Sequence, residues 1–280
     1  METNIILCGV GGQGILSISY VIDMAALKQG LSFKQAEVHG MSQRGGAVMS
    51  HLRVSDRPLW SDLVPLGRGS IVLSVEPLEA LRYLPYLSPN GVVVTGVEPY
   101  VNITDYPAEQ PLLETLGGLE RVSLIHAERL ARAAGSARAA NMVLLGAASP
   151  FLGLRRELLE EAIREAFAHK GERVQQVNLN AFQAGLSAGE AYRACREAGI
   201  APRPTRELTG RLAGGALEPG AVRLWGELFS SPLGAPLLAA FEAAGKSRLE
   251  GGEAVPRALL GLQGLTAEAL KELLFGSPAA

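Results

Sequence analysis

Residues 5–14 read Ile5-Ile6-Leu7-Cys8-Gly9-Val10-Gly11-Gly12-Gln13-Gly14, and they carry the clearest signal of the fold class. Its first four residues are a short apolar run, which predicts a buried strand with a buried thiol at Cys8. The glycines at positions 9, 11 and 14 follow the spacing G-x-G-x-x-G. Apolar residues then recur at helical spacing over residues 15–29, and Gly30 suits the residue that ends such a helix. Strand, tight turn and helix in this order are typical of nucleotide-binding α/β domains.

The glycine-rich turn is suited to an anion. Glycine permits positive φ values and lets the backbone approach a ligand, while the free N–H groups at the start of a helix favour a phosphate. Two interpretations stay open: a loop that binds phosphate or pyrophosphate, and a tight turn that binds no ligand. On the first interpretation the candidate cofactor-binding residues of this loop are Gly9, Gly11, Gly12, Gln13 and Gly14.

A second motif reads Glu37-Val38-His39-Gly40-Met41-Ser42-Gln43-Arg44-Gly45-Gly46. Its acid lies about where a Rossmann domain places the carboxylate that holds a ribose, roughly 20 residues beyond the glycines. The residues that follow offer a guanidinium, a hydroxyl, an amide, a titratable imidazole and backbone donors freed by glycine. We predict that this loop contacts a ligand or the active site of a neighbouring subunit, and all its residues except Val38 are candidates. The alternative is a surface loop held by its own hydrogen bonds.

Other polar side chains have structural explanations. Ser42 is not favoured as a nucleophile, because the sequence positions no base beside it. His39 and His51 have no further clustered ligand, so no metal site is expected, and His51 suits a packed or capped histidine in a strand. Asn141, on an alanine-rich helix, either hydrogen-bonds a backbone loop or reaches a ligand cleft as a cofactor contact. The structural role is the favoured one.

Strands alternate with helices through the first 198 residues. The predicted strands cover 33–38, 48–54, 71–73, 92–94 and 122–125, and the predicted helices cover 15–29, 78–84, 128–134, 139–148, 158–167 and 180–196. Asn90-Gly91 predicts a turn. The pattern predicts an α/β fold with a Rossmann-like, doubly wound, mostly parallel sheet that binds ligands at the carboxyl ends of its strands. Residues 199–280 are predicted as a linker, at 201–204, and a C-terminal helical extension.

Composition excludes several classes of function. The chain has 280 residues and a net charge of −2, which gives no basic footprint for nucleic acid. Its 2 cysteines are too few for an iron–sulfur cluster held by four thiolates. The N-terminus lacks the pattern of a secretory signal, and no window is apolar over the roughly 18 residues of a membrane helix. We therefore expect a cytoplasmic protein.

Three stretches together resemble a known family: the glycine-rich turn, the second motif, and Ala139-Ala140-Asn141-Met142-Val143-Leu144-Leu145-Gly146-Ala147. They are similar to the gamma-type domain of the 2-oxoacid:ferredoxin oxidoreductases, above all to the indolepyruvate-type enzymes, in which this domain is a separate chain. The resemblance covers about residues 1–190. The long second motif is more specific than the glycine spacing. The extension after Gly199 departs from the minimal family domain.

The resemblance implies a subunit that is inactive alone. A large alpha subunit would carry thiamine diphosphate, Mg and [4Fe-4S] clusters, coenzyme A would be a co-substrate, and electrons would pass to ferredoxin. The complex would convert an aryl 2-oxoacid to an acyl-coenzyme A by oxidative decarboxylation. This chain, holding no cofactor by itself, would help to enclose the active site and the coenzyme A region. Two alternatives are an NAD(P)-dependent dehydrogenase that uses the glycine loop and Glu37, and a non-catalytic assembly or regulatory subunit.

Overall fold

A six-stranded mixed sheet forms the centre of the computed structural model, which describes residues 1–39, 45–197, 199–211 and 219–243. The strand order is β2-β3-β1-β4-β5-β6. All strands run in one direction except β3, which is antiparallel to both of its neighbours. The strands are β1 (Glu2–Val10), β2 (Ser32–His39), β3 (Ala47–Ser55), β4 (Gly69–Ser74), β5 (Leu87–Gly96) and β6 (Val122–Ile125).

Helices cover both faces of the sheet. The helices of the described residues are α1 (Ile15–Lys28), α2 (Pro77–Arg82), α3 (Glu109–Gly117), α4 (Ala127–Ala134), α5 (Ala140–Ala148), α6 (Arg156–Phe167), α7 (Glu172–Glu197), α8 (Pro202–Thr209), α9 (Pro219–Ser230) and α10 (Gly234–Ala243). In β1, Ile5 and Leu7 join the core formed with α1, α5, α6 and α7. Ile6 and Cys8 join the opposite core, with α2 and α3. The predicted doubly covered, mostly parallel α/β sheet is confirmed, as is the buried thiol.

Helices α5 and α7 pack with their backbones almost in contact. A Cβ atom added to Gly185 would lie 1.8 Å from the carbonyl oxygen of Val143, and one added to Gly146 would lie 1.9 Å from that of Phe182. Only glycine permits this separation, because any side chain would have to occupy the space of a backbone atom. The predicted helix at 180–196 is the second part of α7, which begins directly after Gly171.

Two local predictions differ from the structure, and one helix was not predicted. The predicted turn at Asn90-Gly91 lies inside β5, where the pairing with β4 shifts register. A Cβ on Gly91 would lie 2.8 Å from the oxygen of Gly69, so this glycine allows the two strands to approach closely. Helix α3 lacked a sequence prediction. Most of the predicted linker at 201–204 is the first turn of α8, which begins at Pro202 and buries Leu208. Of the helices described, none is long and apolar enough to cross a lipid bilayer.

Candidate functional site

The glycine-rich turn closes on itself through Gln13. Its side-chain Oε1 accepts the N–H of Val10 at 2.8 Å, and its own N–H donates to the oxygen of Val10 at 3.1 Å. Gly12 and Gly14 have φ values of 101° and 80°, in the region that favours glycine. The Gln13 side chain therefore holds the turn rather than extending from it.

Helix α1 begins at this turn, and its N-terminus favours the binding of an anion. Gly14 is its N-cap residue in a left-handed conformation, and no side chain caps it. Its first turn carries no acidic residue. The positive end of the helix dipole thus faces the carboxyl edge of the sheet. No acidic residue in the first turn of α1 neutralises it.

The second motif lies directly against the first. The N–H of Gly11 donates to the oxygen of Gly46 at 2.8 Å, and the N–H of Gly45 donates to the oxygen of Gly11 at 3.4 Å. These two bonds extend the antiparallel pairing of β1 and β3 by one step into the loops. The backbones of the two motifs therefore form one unit at the carboxyl edge. Residues 40–44 and the side chain of His39 lie outside the described part, so the candidates Gly40, Met41, Ser42, Gln43 and Arg44 have no structural account.

Asn141 fixes the first loop from the next layer. Its Nδ2 donates to the oxygen of Gly14 at 3.2 Å, and its Oδ1 accepts the N–H of Met142 at 3.0 Å. A Cβ on Gly14 would lie 2.6 Å from that Nδ2, so the glycine also makes room for the amide. Of the two roles considered for Asn141, these hydrogen bonds correspond to the structural one, in which the amide holds a backbone loop.

Glu37 does not take the position of a Rossmann acid. The reversed strand β3 separates its strand, β2, from β1, so its carboxylate is two strands away from the glycine turn. Its Oε1 accepts the Nε2 of Gln35 at 2.5 Å, and the same Nε2 lies 3.0 Å from the Oγ of Ser19 in α1. Burial, reinforced by the charge of Glu37, raises the pKa of nearby Asp23 to about 7. The dehydrogenase alternative requires an acid on the strand next to the glycine turn, and Glu37 does not lie there. The position of Glu37 therefore argues against that alternative.

A third loop, residues 97–108, completes the edge and was not predicted. Asn102 Nδ2 donates to the oxygen of Gly45 at 2.7 Å. The loop is held by Glu76, which is 1% exposed and accepts the N–H of Tyr100 at 3.3 Å and the hydroxyl of Tyr106. One feature of the sequence could have indicated this loop, because Glu76 is an acidic residue placed between a buried strand and Pro77 at a helix start.

Glu98 and His126 follow β5 and β6 at the same edge. Glu98 accepts the N–H groups of Ala127 and Glu128, each at 3.2 Å, and so caps α4. Burial raises the pKa of Glu98 to about 7. Burial, assisted by neighbouring guanidinium groups, lowers the pKa of His126 to about 3, so this imidazole stays neutral at physiological pH.

The described residues do not fit a metal cofactor. They contain no group of three or more His, Cys, Asp or Glu side chains that could hold a metal ion. Burial raises the pKa values of Cys8 and Cys195, the latter to about 12, so both remain thiols and neither suits a cluster. The Nδ1 of His51 accepts the N–H of Val64 at 3.2 Å and its ring meets Tyr86 edge to face, which confirms a packed histidine.

The fold and the described parts of these three loops define an α/β domain in which an anion-favouring turn and the ends of the second motif lie together at the carboxyl edge of the sheet. A model of the pyruvate ferredoxin/flavodoxin oxidoreductase family matches residues 4–188. The chain belongs to this family. Both motifs and Asn141 lie within the matched region.

Relatives and a solved structure extend this result. The chain is similar to indolepyruvate oxidoreductase subunit IorB of Thermococcus kodakarensis, with 37% identity over 201 residues, 68% of this chain and 96% of that protein. It is 39% identical to the subunit of that name in Methanothermobacter thermautotrophicus over 197 residues, 67% of this chain and 98% of that protein. A 2-oxoglutarate:ferredoxin oxidoreductase from Magnetococcus marinus shares the fold, with a TM-score of 0.55, 24% identity and coverage of 68% of this chain and 31% of that one.

Proposed function

We propose that this chain is a non-autonomous subunit of an indolepyruvate-type 2-oxoacid:ferredoxin oxidoreductase. The observation that carries the proposal is the match to nearly the full length of proteins named indolepyruvate oxidoreductase subunit IorB. The proposed reaction takes an arylpyruvate, coenzyme A and oxidised ferredoxin to an arylacetyl-coenzyme A, carbon dioxide and reduced ferredoxin. The substrate loses carbon dioxide and two electrons, two one-electron equivalents of ferredoxin take up those electrons, and the thiol proton of coenzyme A is released as the thioester bond forms.

The proposed division of labour places the cofactors on a large alpha subunit. Thiamine diphosphate with Mg would supply the decarboxylation there, and [4Fe-4S] clusters would carry the electrons. The chain's 2 cysteines are fewer than the four thiolates that hold such a cluster, which supports placing the clusters on the partner. We further propose that the enzyme complex is cytoplasmic. We also propose that the family domain ends near residue 198 and that residues 199–280 form an extension to it.

The proposed part of this chain is one wall of the shared site. Paired Gly11 and Gly46 present the polar loop to the partner, and Asn141 keeps the glycine turn in place. The start of α1 is suited to a phosphate of coenzyme A, because its first turn contains no acid. Both loops leave the sheet at the carboxyl edge, where α/β domains bind ligands.

Affinity purification of the tagged chain from its native cells tests the proposal. We expect a large cysteine-rich partner, with iron and thiamine in the purified complex, and coenzyme A-dependent reduction of ferredoxin by indolepyruvate. Recovery of the chain alone would refute the subunit role. Undiminished turnover by a complex that lacks this chain would instead show an assembly or regulatory subunit.

Arg44 provides a sharper test of the second motif. We expect Arg44→Ala to lower turnover of the assembled complex while the isolated chain stays folded. Arg57→Ala, at an exposed arginine beyond β3, is the matched control and should leave turnover unchanged. Equal kinetics for both variants, with normal assembly, would count against a role for this loop in the site.

A further inference from the structure

A cavity of about 380 Å³ lies apart from the loops of the candidate site. It is enclosed by the end of α4, the end of α6 and the first two turns of α7. Its volume is within the range of small-molecule pockets. The residues that line it include Ser136, Arg138, Phe167, Lys170, Arg173 and Val177.

The wall of this cavity is positively charged. Arg138 comes from the segment after α4, Lys170 and Arg173 come from the junction of α6 and α7, and no Asp or Glu lines the cavity. Within the described ranges, none of these three side chains forms an ion pair. Three cations around one concave surface repel one another, so the arrangement favours an anion that neutralises them.

The start of α7 also lines the cavity, but Glu172 in the first turn of this helix offsets the positive end of the helix dipole. A further feature suits the cavity to an organic anion. Apolar surface is also present: Phe167 and Val177 line the cavity, and the Lys170 Nζ lies 5.3 Å from the Phe167 ring centroid. A ligand with a charged group and an apolar body could contact both kinds of surface.

We propose that this cavity binds a small organic phosphate, with its phosphate groups on Arg138, Lys170 and Arg173 and its organic part on the apolar wall. Guanidinium groups bind phosphate through paired, charge-assisted hydrogen bonds, which accounts for two arginines in the set. The site goes beyond the proposed function and does not depend on it. The test measures binding to the full chain and requires no turnover.

Isothermal titration of the full-length chain with ADP and with inorganic pyrophosphate tests the proposal at low salt. We expect both to bind, and ADP to bind more tightly because it also contacts the apolar wall. Arg138→Gln and Arg173→Gln should each weaken ADP binding by about tenfold, as expected for the loss of one charge-assisted contact. All three cations are exposed, so the variants should unfold at the same temperature as the unmodified chain.

Arg155→Gln is the matched control, since Arg155 is an exposed arginine outside the cavity. It removes the same charge and should leave the ADP affinity unchanged. An equal loss in this variant would show attraction by net charge and would overturn the site. Lack of binding heat with millimolar pyrophosphate and ADP would also overturn it. Equal affinities for the two probes would overturn the contact assigned to the apolar wall.

Discussion

Replacing Asn141 by alanine should loosen the glycine turn by a predictable amount. The substitution removes the 3.2 Å bond to the oxygen of Gly14 and the 3.0 Å bond from the N–H of Met142. The oxygen of Gly14 retains the N–H of Ser17 at 3.0 Å, so it is not left without a partner. Each of the two hydrogen bonds contributes about 1 kcal/mol net, and the expected loss in the free energy of unfolding is therefore about 2 kcal/mol.

Urea denaturation of the isolated chain measures this loss, with Asn180→Ala as the matched control. Asn180 is exposed on α7 and makes one contact, in which its Oδ1 accepts the Nε2 of Gln176 at 2.8 Å. Both variants replace Asn by Ala in a helix, so the gain in helix propensity is similar. Amide exchange should also quicken over residues 11–16 in Asn141→Ala alone. A difference below about 0.5 kcal/mol between the variants would refute the assigned contacts.

Three further predictions concern packing, the third loop and pH. Gly185→Ala should cost more than about 3 kcal/mol in urea unfolding or prevent folding, because the new methyl group would overlap the oxygen of Val143. Tyr106→Phe should quicken amide exchange over residues 99–106 and lower stability by about 1 kcal/mol, because Glu76 loses a hydroxyl donor. Glu98 has a raised pKa, so the folded state binds its proton more tightly, and stability falls as pH rises from the ordinary carboxyl value to about 7. Glu98→Gln should flatten that part of the curve of unfolding free energy against pH.

Each of these predictions has a control of the same chemistry. Gly118→Ala places its Cβ no closer than 3.4 Å to another atom and should be tolerated. Tyr20→Phe changes an exposed tyrosine, and Glu120→Gln changes an exposed acid, so neither should reproduce the predicted effect. A control that matched its test variant would show that the named contact is not responsible.

The sequence predicted the start of the fold because its signals there are local. The apolar run before Gly9 and the helical spacing after Gly14 each occupy a few residues. The direction of β3 could have been inferred, since the seven residues between His39 and Ala47 are too few for a parallel crossover. The pattern of alternating side chains in β3 carries no information about direction, so only the length of the connection distinguishes the two directions.

The parts of the site that escaped prediction depend on distant contacts. Glu76 meets Tyr100 and Tyr106, which lie 24 and 30 residues further along the chain. Asn-Gly at positions 90–91 has the chemistry of a turn, but the same glycine also allows two strands to approach closely. The neighbouring strand determines whether the glycine forms a turn or allows a close approach. That strand lies outside any short stretch of sequence around the dipeptide.

The reversed direction of β3 bears on how this protein can change during evolution. Because β2 ends at His39 and β3 begins at Ala47 at the same edge, the second motif begins in one strand of an antiparallel pair and ends directly before the other. Insertions or exchanges between two such strands leave their pairing intact, and the loop-closure cost of a few added residues is small. Lineages can therefore alter this motif while inheriting the same core.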